Sequence, residues 1–276
     1  MTCMWDFIAR ARSLLFVPGD RPDRFEKAVA SGADGVVLDI EDAVAPEKKA
    51  EARKHIRCWF AEGGVGIVRI NAAGTPWHED DVAALAGRPC SVMQPKITNS
   101  AQVADLMRRL PSGSTVLPLL ETAEGILRAR EICSEPGVTR AVFGNADLGR
   151  ELGIDHADLS ALSFARCQIV LASAASCIAP PIDGVMTALV EDKNLTIEAE
   201  HAASYGFTGK LCIHPRQVPI VNAVFTPSAA EIHWAQQVLA AAGDGSVGSF
   251  DNEVVGKPIV ERARTLLSRA GGRSPY

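Results

Sequence analysis

Acidic and basic side chains follow short apolar runs at regular intervals along this chain of 276 residues. Two of them, Glu121 and Asp147, lie one strand–helix repeat apart and carry the oxygen ligands that a hard octahedral ion such as Mg²⁺ prefers. Mg²⁺ uses one or two protein carboxylates and leaves its other positions to water and substrate. Such an ion can hold a 2-oxo acid through its carboxylate and carbonyl oxygens. The two carboxylates therefore predict a magnesium site for a small oxo acid.

Arg69 supplies the counter-charge that an anionic substrate needs in the same site. Its planar guanidinium can bind a carboxylate or stabilise a developing enolate oxygen. Three carboxylates follow another apolar run and form an acidic segment, which comprises Asp39, Glu41 and Asp42. Lys96 follows a further run, where it could pair with Glu121 or the acidic segment, or fill substrate space. Each residue alone could be a helix cap or an ion-pair member, but their shared placement favours one site.

The apolar runs alternate with helix-like patterns eight times, without a Ser- or Pro-rich linker. Most runs are continuously apolar, as expected for strands of a parallel sheet that is buried on both faces. The predicted strands are Ser13–Pro18, Gly35–Asp39, Gly66–Ile70, Ser91–Pro95, Ser114–Leu120, Arg140–Phe143, Ala179–Asp183 and Lys210–Ile213. Eight such units predict an α/β fold, a closed (β/α)8 TIM barrel. A doubly wound open sheet is less favoured, because no Gly-x-Gly-x-x-Gly follows a strand.

Periodic apolar positions between the strands predict helices, several of which open with Pro, Ser or Thr. These helices are Arg21–Ala30, Pro46–Phe60, Ser100–Leu110, Ala123–Ile132, Ser160–Ser176 and Thr196–Ser204. Catalytic groups of such a barrel come from the carboxyl ends of its strands, where the charged residues above are placed. Asp183 ends the seventh strand, and we expect its carboxylate to join the site. His214 ends the eighth, and we expect its ring to be satisfied by backbone at the barrel rim.

The length predicts a barrel domain over residues 1–225 and a C-terminal helical extension over residues 226–276. Two helices are predicted in the extension, Ser228–Ala242 and Lys257–Ala270, joined by a Gly-rich stretch. The second of them carries an apolar stripe, which consists of Ile259, Leu266 and Leu267. Because this stripe lies outside the eight-unit core, we expect the extension to pack in a homo-oligomer.

The composition, with 47% apolar and 22% charged residues, describes a soluble globular chain and excludes disorder, collagen and coiled coil. The net charge of −5 provides no basic field for nucleic acid or anionic lipid. The apolar stretches are far shorter than the roughly 18 residues that span a bilayer. The seven cysteines lack the spacing of a zinc or redox motif. We therefore expect a cytoplasmic protein that binds neither nucleic acid nor membrane.

Six motifs in one register resemble a known family. They are Arg12–Gly19 (RSLLFVPG), Leu38–Val44 (LDIEDAV), Val68–Asn71 (VRIN) with Gly74–Trp77 (GTPW), Leu120–Thr122 (LET), Phe143–Asp147 (FGNAD) and Gly206–Pro215 (GFTGKLCIHP). Together they resemble the citrate lyase beta subunit-like family, within the wider group of magnesium-dependent aldolases and acyl-coenzyme A lyases. The resemblance covers residues from about 12 to 225.

This resemblance implies a TIM barrel that binds Mg²⁺ and cleaves or forms a carbon–carbon bond in a citryl, malyl or citramalyl type of 3-hydroxy acyl thioester. By motif, Glu121 and Asp147 correspond to the family's metal ligands, and Arg69 to its substrate-binding and enolate-stabilising residue. The acidic segment matches the family's Asp-x-Glu-Asp, which we expect to support metal waters and orient Arg69, or to form a supporting network only. The family also implies a trimer or hexamer.

The C-terminal extension departs from the family pattern. In members that act on coenzyme A esters, a segment like Asp-Gly-x-Met-Val-Asp-x-Pro supplies a second Asp, which acts in acid–base catalysis at a neighbouring subunit's site. The corresponding stretch here is Asp251–Pro258 (DNEVVGKP), with Gly256 in place of that Asp. Asp251 or Glu253 could substitute, a metal-bound water could act as base, or the natural reaction could differ. Loss of a positioned acid–base group costs about 10²–10⁴-fold in rate.

Two other functions remain open at this point. A lyase of free 4-hydroxy-2-oxo acids would need neither a coenzyme A site nor the Asp from a neighbouring subunit. The chain could also be a partner-dependent subunit that acts on a substrate delivered by an acyl carrier protein, as beta subunits of citrate lyase do. In each case the expected ligands are a 2-oxo acid and, for the thioester reactions, coenzyme A or a carrier protein.

Overall fold

The computed structural model describes residues 6–189, 192–242, 248–250 and 253–270. Eight parallel strands close into a barrel in chain order, and the last strand pairs with the first. Their bounds are β1 Ser13–Pro18, β2 Gly35–Asp39, β3 Ile67–Arg69, β4 Ser91–Gln94, β5 Thr115–Leu120, β6 Arg140–Phe143, β7 Ala179–Asp183 and β8 Gly209–Cys212. The predicted TIM barrel is confirmed, and each predicted strand agrees with an observed one to within one residue at either end.

Helices surround the barrel, with one before the first strand, one after the last and the others between successive strands. They are α1 Asp6–Arg10, α2 Phe25–Val29, α3 Lys49–Ala61, α4 His78–Ala84, α5 Ser100–Arg109, α6 Ala123–Leu127, α7 Ala129–Cys133, α8 Asn145–Leu152, α9 Ser163–Ala175, α10 Asp192–Tyr205 and α11 Gln217–Phe225. The short helices α1, α4, α8 and α11 were not predicted by periodicity. The single helix predicted over Ala123–Ile132 is divided at Arg128, whose ψ of 13° leaves helical geometry.

The barrel has two apolar layers, because successive strand residues point to opposite faces. One layer fills the barrel interior, and among its members are Leu14, Val37, Ile67, Met93, Leu119, Val142, Ile182 and Leu211. The other lies between the strands and the helices, and among its members are Val36, Leu38, Val68, Leu120, Phe143 and Cys212. A charged residue of a strand therefore faces the barrel interior only if it lies an even number of residues from the interior apolar residues of the same strand.

The amino-terminal end of the barrel is closed by α1. Ile8 belongs to the interior apolar cluster, and the Ile8 and Ala11 carbonyl oxygens accept hydrogen bonds of 3.0 and 2.6 Å from Arg140 Nη1. Arg140 is fully buried at the start of β6, and this burial lowers the pKa of its guanidinium. The open end of the barrel is consequently the carboxyl end of the strands, where charged residues were expected.

Asp183 does not face this open end, and the expectation that its carboxylate joins the site was wrong. Ile182 points into the interior, so the next residue points outward into the helix layer. There the buried Asp183 carboxylate accepts hydrogen bonds from Arg166 Nε at 3.0 Å and Lys210 Nζ at 2.8 Å. Lys210 Nζ also lies 3.2 Å from a Glu198 carboxylate oxygen. These buried charges join α9, α10, β7 and β8.

The C-terminal helices are α12 Ala229–Ala241 and α13 Lys257–Ala270, close to their predicted bounds. They pack against each other through a small apolar cluster that includes Val238 and Leu266. Arg269 Nη2 donates a 3.1 Å hydrogen bond to the Phe225 carbonyl oxygen of α11. Between α12 and α13, β9 Gly248–Phe250 and β10 Glu253–Val255 form an antiparallel pair.

The candidate proton-transfer residues of this tail lie outside what the structure describes. Asp251 is outside the described residues, and so is the side chain of Glu253. Gly256 is described, and among the described atoms a Cβ added to it would meet Pro258 Cδ alone, at 3.7 Å. No helix in the described part of the chain has the length and apolar character needed to cross a membrane.

Replacement of Asp183 by Asn should destabilise the fold strongly. The substitution leaves two buried cations, Arg166 and Lys210, without their shared counter-charge. Breaking such a buried pair costs about 3–5 kcal/mol, so we expect a fall of this size in the free energy of unfolding, measured by urea denaturation with circular dichroism. The control is Asp105→Asn in the exposed pair with Arg108, which should cost less than about 1 kcal/mol. Equal losses in the two variants would contradict the structural role of Asp183.

Candidate active site

Three charged residues face the barrel interior at the carboxyl ends of their strands. Asp39, Arg69 and Glu121 each come two residues after an interior apolar residue of β2, β3 or β5. The parallel register sets Asp39 directly opposite Arg69 on the neighbouring strand. The period of two residues along a strand therefore delivers all three side chains to the open end of the barrel.

Arg69 and Asp39 form a two-point ion pair. Arg69 Nε lies 2.8 Å from Asp39 Oδ1, and Arg69 Nη2 lies 2.6 Å from Asp39 Oδ2. The fully buried Asp39 carboxylate also accepts hydrogen bonds from the main-chain N–H groups of Glu41 and Ala43, at 2.9 and 3.1 Å. Four donors thus satisfy the buried carboxylate, which fixes both the Arg69 guanidinium and the start of the acidic segment.

The remaining edge of Arg69 faces the acidic segment. Arg69 Nη1 lies 3.1 Å from Glu41 Oε2, and the guanidinium lies over the Phe16 ring at 4.6 Å. Burial alone would lower the pKa of Arg69, but the Asp39 and Glu41 carboxylates raise it above its ordinary value. Arg69 therefore stays a cation of fixed orientation at the base of the open end.

Lys96 connects three of the loops at this end. Its main-chain N–H donates a 2.8 Å hydrogen bond to Glu121 Oε1, and its Nζ donates a 2.6 Å bond to Glu41 Oε1. Lys96 Nζ also lies 3.8 Å from the exposed Asp42 carboxylate. The Lys96 backbone has a φ of 51°, a left-handed conformation that a residue with a Cβ adopts at a cost of about 1–3 kcal/mol. Of the three roles considered from sequence, the structure shows the ion pair with the acidic segment.

Glu121 is the most perturbed carboxylate of the group. Burial raises the pKa of Glu121 to about 8, with additional contributions from the negative charges of Glu41 and Asp147. The Glu121 side chain has room because the residue after β6 is Gly144. A Cβ on that residue would lie only 2.6 Å from Glu121 Oε2. A buried carboxylate near two others is a site that a cation would stabilise.

Asp147 stands in the first turn of α8, which begins directly after β6. Its carboxylate is 2.8 Å from Nη2 of the exposed Arg150, and it lies near enough to raise the pKa of Glu121. The described residues include no cluster of three or more His, Cys, Asp or Glu side chains that could hold a metal ion. A Mg²⁺ ion would thus rest on Glu121 and Asp147, with its other positions filled by water and substrate, as is usual for this ion.

The structure brings the predicted residues of the acidic segment, Arg69, Lys96 and Glu121 into one connected network, with Asp147 beside it. Two residues support this network from behind; sequence patterns missed Lys49 and contained Asn71 only as the last residue of the Val68–Asn71 motif, without a role. Lys49 Nζ, buried at the start of α3, donates to the carbonyl oxygens of Ile40 and Glu41 at 2.8 and 2.9 Å. Asn71 Nδ2 donates to the same Ile40 oxygen at 3.2 Å and to Asp81 Oδ2 at 2.6 Å. A lysine at a helix start gives no local signal of such a role.

His214 lies at the rim, as expected from sequence. Its Nδ1 accepts a 3.1 Å hydrogen bond from the main-chain N–H of Arg216. Gln217 Oε1 accepts hydrogen bonds from the main-chain N–H groups of Ile213 and His214, at 2.8 and 3.3 Å. The turn after β8 is therefore held by local hydrogen bonds.

Comparison with known proteins places these residues in context. Residues 12–215 match the family described as HpcH/HpaI aldolase/citrate lyase. A citrate lyase subunit beta-like protein of Mycobacterium tuberculosis is 37% identical over 265 residues, which cover 93% of this chain and 94% of the relative. A (3S)-malyl-CoA thioesterase of Cereibacter sphaeroides is 36% identical over 273 residues, which cover 94% of each chain.

A solved structure shows the same architecture. The protein CitE of Mycobacterium tuberculosis, in complex with magnesium, acetoacetate and coenzyme A, has a TM-score of 0.81 and 35% sequence identity with this chain. The likeness covers 95% of this chain and 99% of that one. Fold and sequence are thus similar over nearly the whole length.

The raised pKa of Glu121 predicts a pH dependence of stability in the presence of a chelator. The folded chain keeps a proton on Glu121 up to about pH 8, whereas an unfolded glutamate loses it near about pH 4.3. The folded state thus binds more protons between these values, so the free energy of unfolding should fall as pH rises from about 5 to about 8.

Glu121→Gln tests this dependence, because glutamine keeps the acceptor for the Lys96 N–H and cannot titrate. Urea denaturation across this pH window should give a flatter slope for Glu121→Gln than for the wild type. The matched control is Glu124→Gln in the exposed pair with Arg128, which should keep the wild-type slope. If Glu121→Gln also kept that slope, Glu121 would not be the titrating group.

Proposed function

Since the chain belongs to the HpcH/HpaI aldolase/citrate lyase family, we propose that its site cleaves a 3-hydroxy acyl thioester into a 2-oxo acid and a shorter acyl thioester. Family membership makes it a lyase and confirms the family indicated by the sequence motifs. The observation that carries the proposal is the buried Glu121 carboxylate, held near Asp147 and on the same barrel end as the fixed Arg69. The CitE complex with magnesium and coenzyme A supports both ligand classes.

Glu121 and Asp147 would hold Mg²⁺, since both offer carboxylate oxygens and the negative charge around Glu121 is in excess. When bound, the ion supplies Lewis acidity for the carboxylate and carbonyl oxygens of a 2-oxo acid. Lys96 fixes Glu121 through its main-chain N–H and neutralises Glu41 through Nζ. These contacts orient the Glu121 carboxylate before any substrate arrives.

Arg69 would stabilise the negative charge that develops during cleavage. In that direction a base takes the proton of the 3-hydroxyl group, and the hydroxyl-bearing carbon becomes the carbonyl of the 2-oxo acid. The electron pair of the broken carbon–carbon bond moves onto the acyl thioester as an enolate, which is then protonated at carbon. Asp39 keeps the guanidinium in place without being consumed, so the cation needs no reorientation as the charge forms.

The thioester is proposed to be that of coenzyme A or of an acyl carrier protein, and a homo-oligomer, a trimer or hexamer, is proposed as the working assembly. The stripe of α13 supports an assembly, because Ile259 and Leu267 are only partly buried against α12. None of the six described cysteines is in a disulfide, which supports the proposed cytoplasmic location.

Loss of either proposed metal ligand should abolish Mg²⁺ binding and with it the reaction. Glu121→Gln and Asp147→Asn should show no heat of Mg²⁺ binding in titration calorimetry. Release of acetyl thioester and 2-oxo acid from malyl- or citramalyl-coenzyme A should fall about a hundredfold or more, because a Lewis acid contributes several kcal/mol. The control Asp155→Asn changes an exposed carboxylate and should leave both measurements unchanged.

The products decide between this reaction and its alternatives. Free coenzyme A together with the intact hydroxy acid would show thioester hydrolysis and overturn the lyase proposal. Cleavage of free 4-hydroxy-2-oxo acids, without retention on a coenzyme A resin, would assign the site to the aldolase alternative. Turnover with the acyl carrier protein thioester alone would identify a partner-dependent subunit.

Gly256→Asp should raise the lyase rate if the missing aspartate limits proton transfer. Among the described residues, a Cβ at this position would contact Pro258 alone, at 3.7 Å, which is an ordinary van der Waals distance. A positioned acid–base group raises a reaction rate by about 10²–10⁴-fold. We therefore expect Gly256→Asp to increase kcat for thioester cleavage and to leave the Mg²⁺ affinity unchanged. Gly256→Asn is the matched control, since it has the same shape and cannot transfer the proton. Equal rates for the two variants would show that another group already serves as the base.

A further inference from the structure

A cavity of about 610 Å³ lies between α3, α4 and the start of β4. Cys90, which precedes β4, lies in its wall, whereas Lys96 follows the opposite end of that strand. Helix α3 begins at Lys49 beside the acidic segment and lines the cavity from Lys54 to its end. At 1.5 Å per residue the helix is about 20 Å long. The cavity is therefore separate from the candidate active site.

The mouth of this cavity is cationic. Lys54 and Arg57 lie one turn apart on α3, so their side chains share a face, and Arg88 reaches the same cavity from the connection before β4. None of the described residues that line the cavity is acidic. Among the residues the structure describes, none of these three cations forms an ion pair. A chain with a net charge of −5 thus concentrates three unpaired positive charges at one opening.

The floor of the cavity is apolar and partly aromatic. Phe60 and Leu85 are buried beneath it, and Ala84 borders it. Arg88 lies over the Phe60 ring at 5.3 Å and donates from Nη1 to the Phe60 carbonyl oxygen, which fixes the guanidinium at the edge of the apolar surface. A ligand that complements both features has an apolar body and a negative charge at one end.

We infer that this cavity binds a small amphipathic anion, that is, an aromatic or aliphatic body that bears a carboxylate, sulfonate or phosphate group. The body covers Phe60 and Leu85, and the anionic group lies among Lys54, Arg57 and Arg88. The volume is within the range of about 300–1,000 Å³ that holds small organic ligands. The site is independent of the lyase reaction, so either proposal can fail without the other.

A matched pair of fluorescent probes tests the site in the full-length chain. 8-Anilinonaphthalene-1-sulfonate has the apolar body and the charge, whereas N-phenyl-1-naphthylamine has the same body without the sulfonate. We expect saturable binding of the sulfonate that weakens as salt increases, because Lys54 and Arg57 at the mouth are exposed to solvent. The double variant Lys54→Glu/Arg57→Glu should weaken sulfonate binding about tenfold or more and leave binding of the neutral probe unchanged.

The control double variant is Lys193→Glu/Arg264→Glu, which makes the same charge change on exposed residues of α10 and α13. It should bind both probes as the wild type does, and thermal melts of all three proteins should coincide because the four residues are exposed. Equal loss of sulfonate binding in the two double variants would mean that only net charge matters, and would overturn the inference. So would unchanged binding in Lys54→Glu/Arg57→Glu, or no saturable binding to the wild type.

Discussion

The two-point ion pair between Arg69 and Asp39 is the interaction on which the active-site end of the barrel depends. It forms because the parallel register sets the two residues opposite each other and strand alternation turns both inward. Asp39 also accepts the main-chain N–H groups of Glu41 and Ala43, so the same carboxylate that holds the cation shapes the acidic segment. Because buried ion pairs add little net stability to a fold, the main effect of this pair is to fix the orientation of the Arg69 guanidinium.

The charge around this pair is unbalanced. Glu41, Asp42, Glu121 and Asp147 add four carboxylates around the site, whereas Lys96 and the exposed Arg150 add two cations. Burial, together with the negative charges of Glu41 and Asp147, raises the pKa of Glu121 and so favours its neutral form. A divalent cation removes the need for that proton. With Glu121 ionised, the folded chain is consequently more stable with a bound divalent cation than without one. This difference couples metal binding to folding.

The sequence predicted the strands closely because continuous apolar runs, bounded by polar residues, are typical of parallel strands. It also placed Asp39, Arg69 and Glu121 at the right end. The error at Asp183 arose because its place at the end of a strand was considered without the alternation of side chains along that strand. Ile182 points inward, so Asp183 points outward. A contact between segments that are separated in the chain produces no periodic pattern in the sequence. The hydrogen bonds from Lys49 to the acidic segment were therefore not predicted.

The barrel and the tail contribute to function under different constraints. Residues of the barrel site are interlocked, so a change at Asp39 disturbs the cation, the acidic segment and the loop that follows β2 together. Gly256 lies between β10 and α13, where, within the described part of the chain, an added Cβ would touch one proline ring. Our proposal for Gly256→Asp rests on this separation from the residues proposed to hold metal and substrate. The barrel network includes no contact to Gly256 among the described residues, so the proposed metal ligands and the proposed acid–base position can be varied independently.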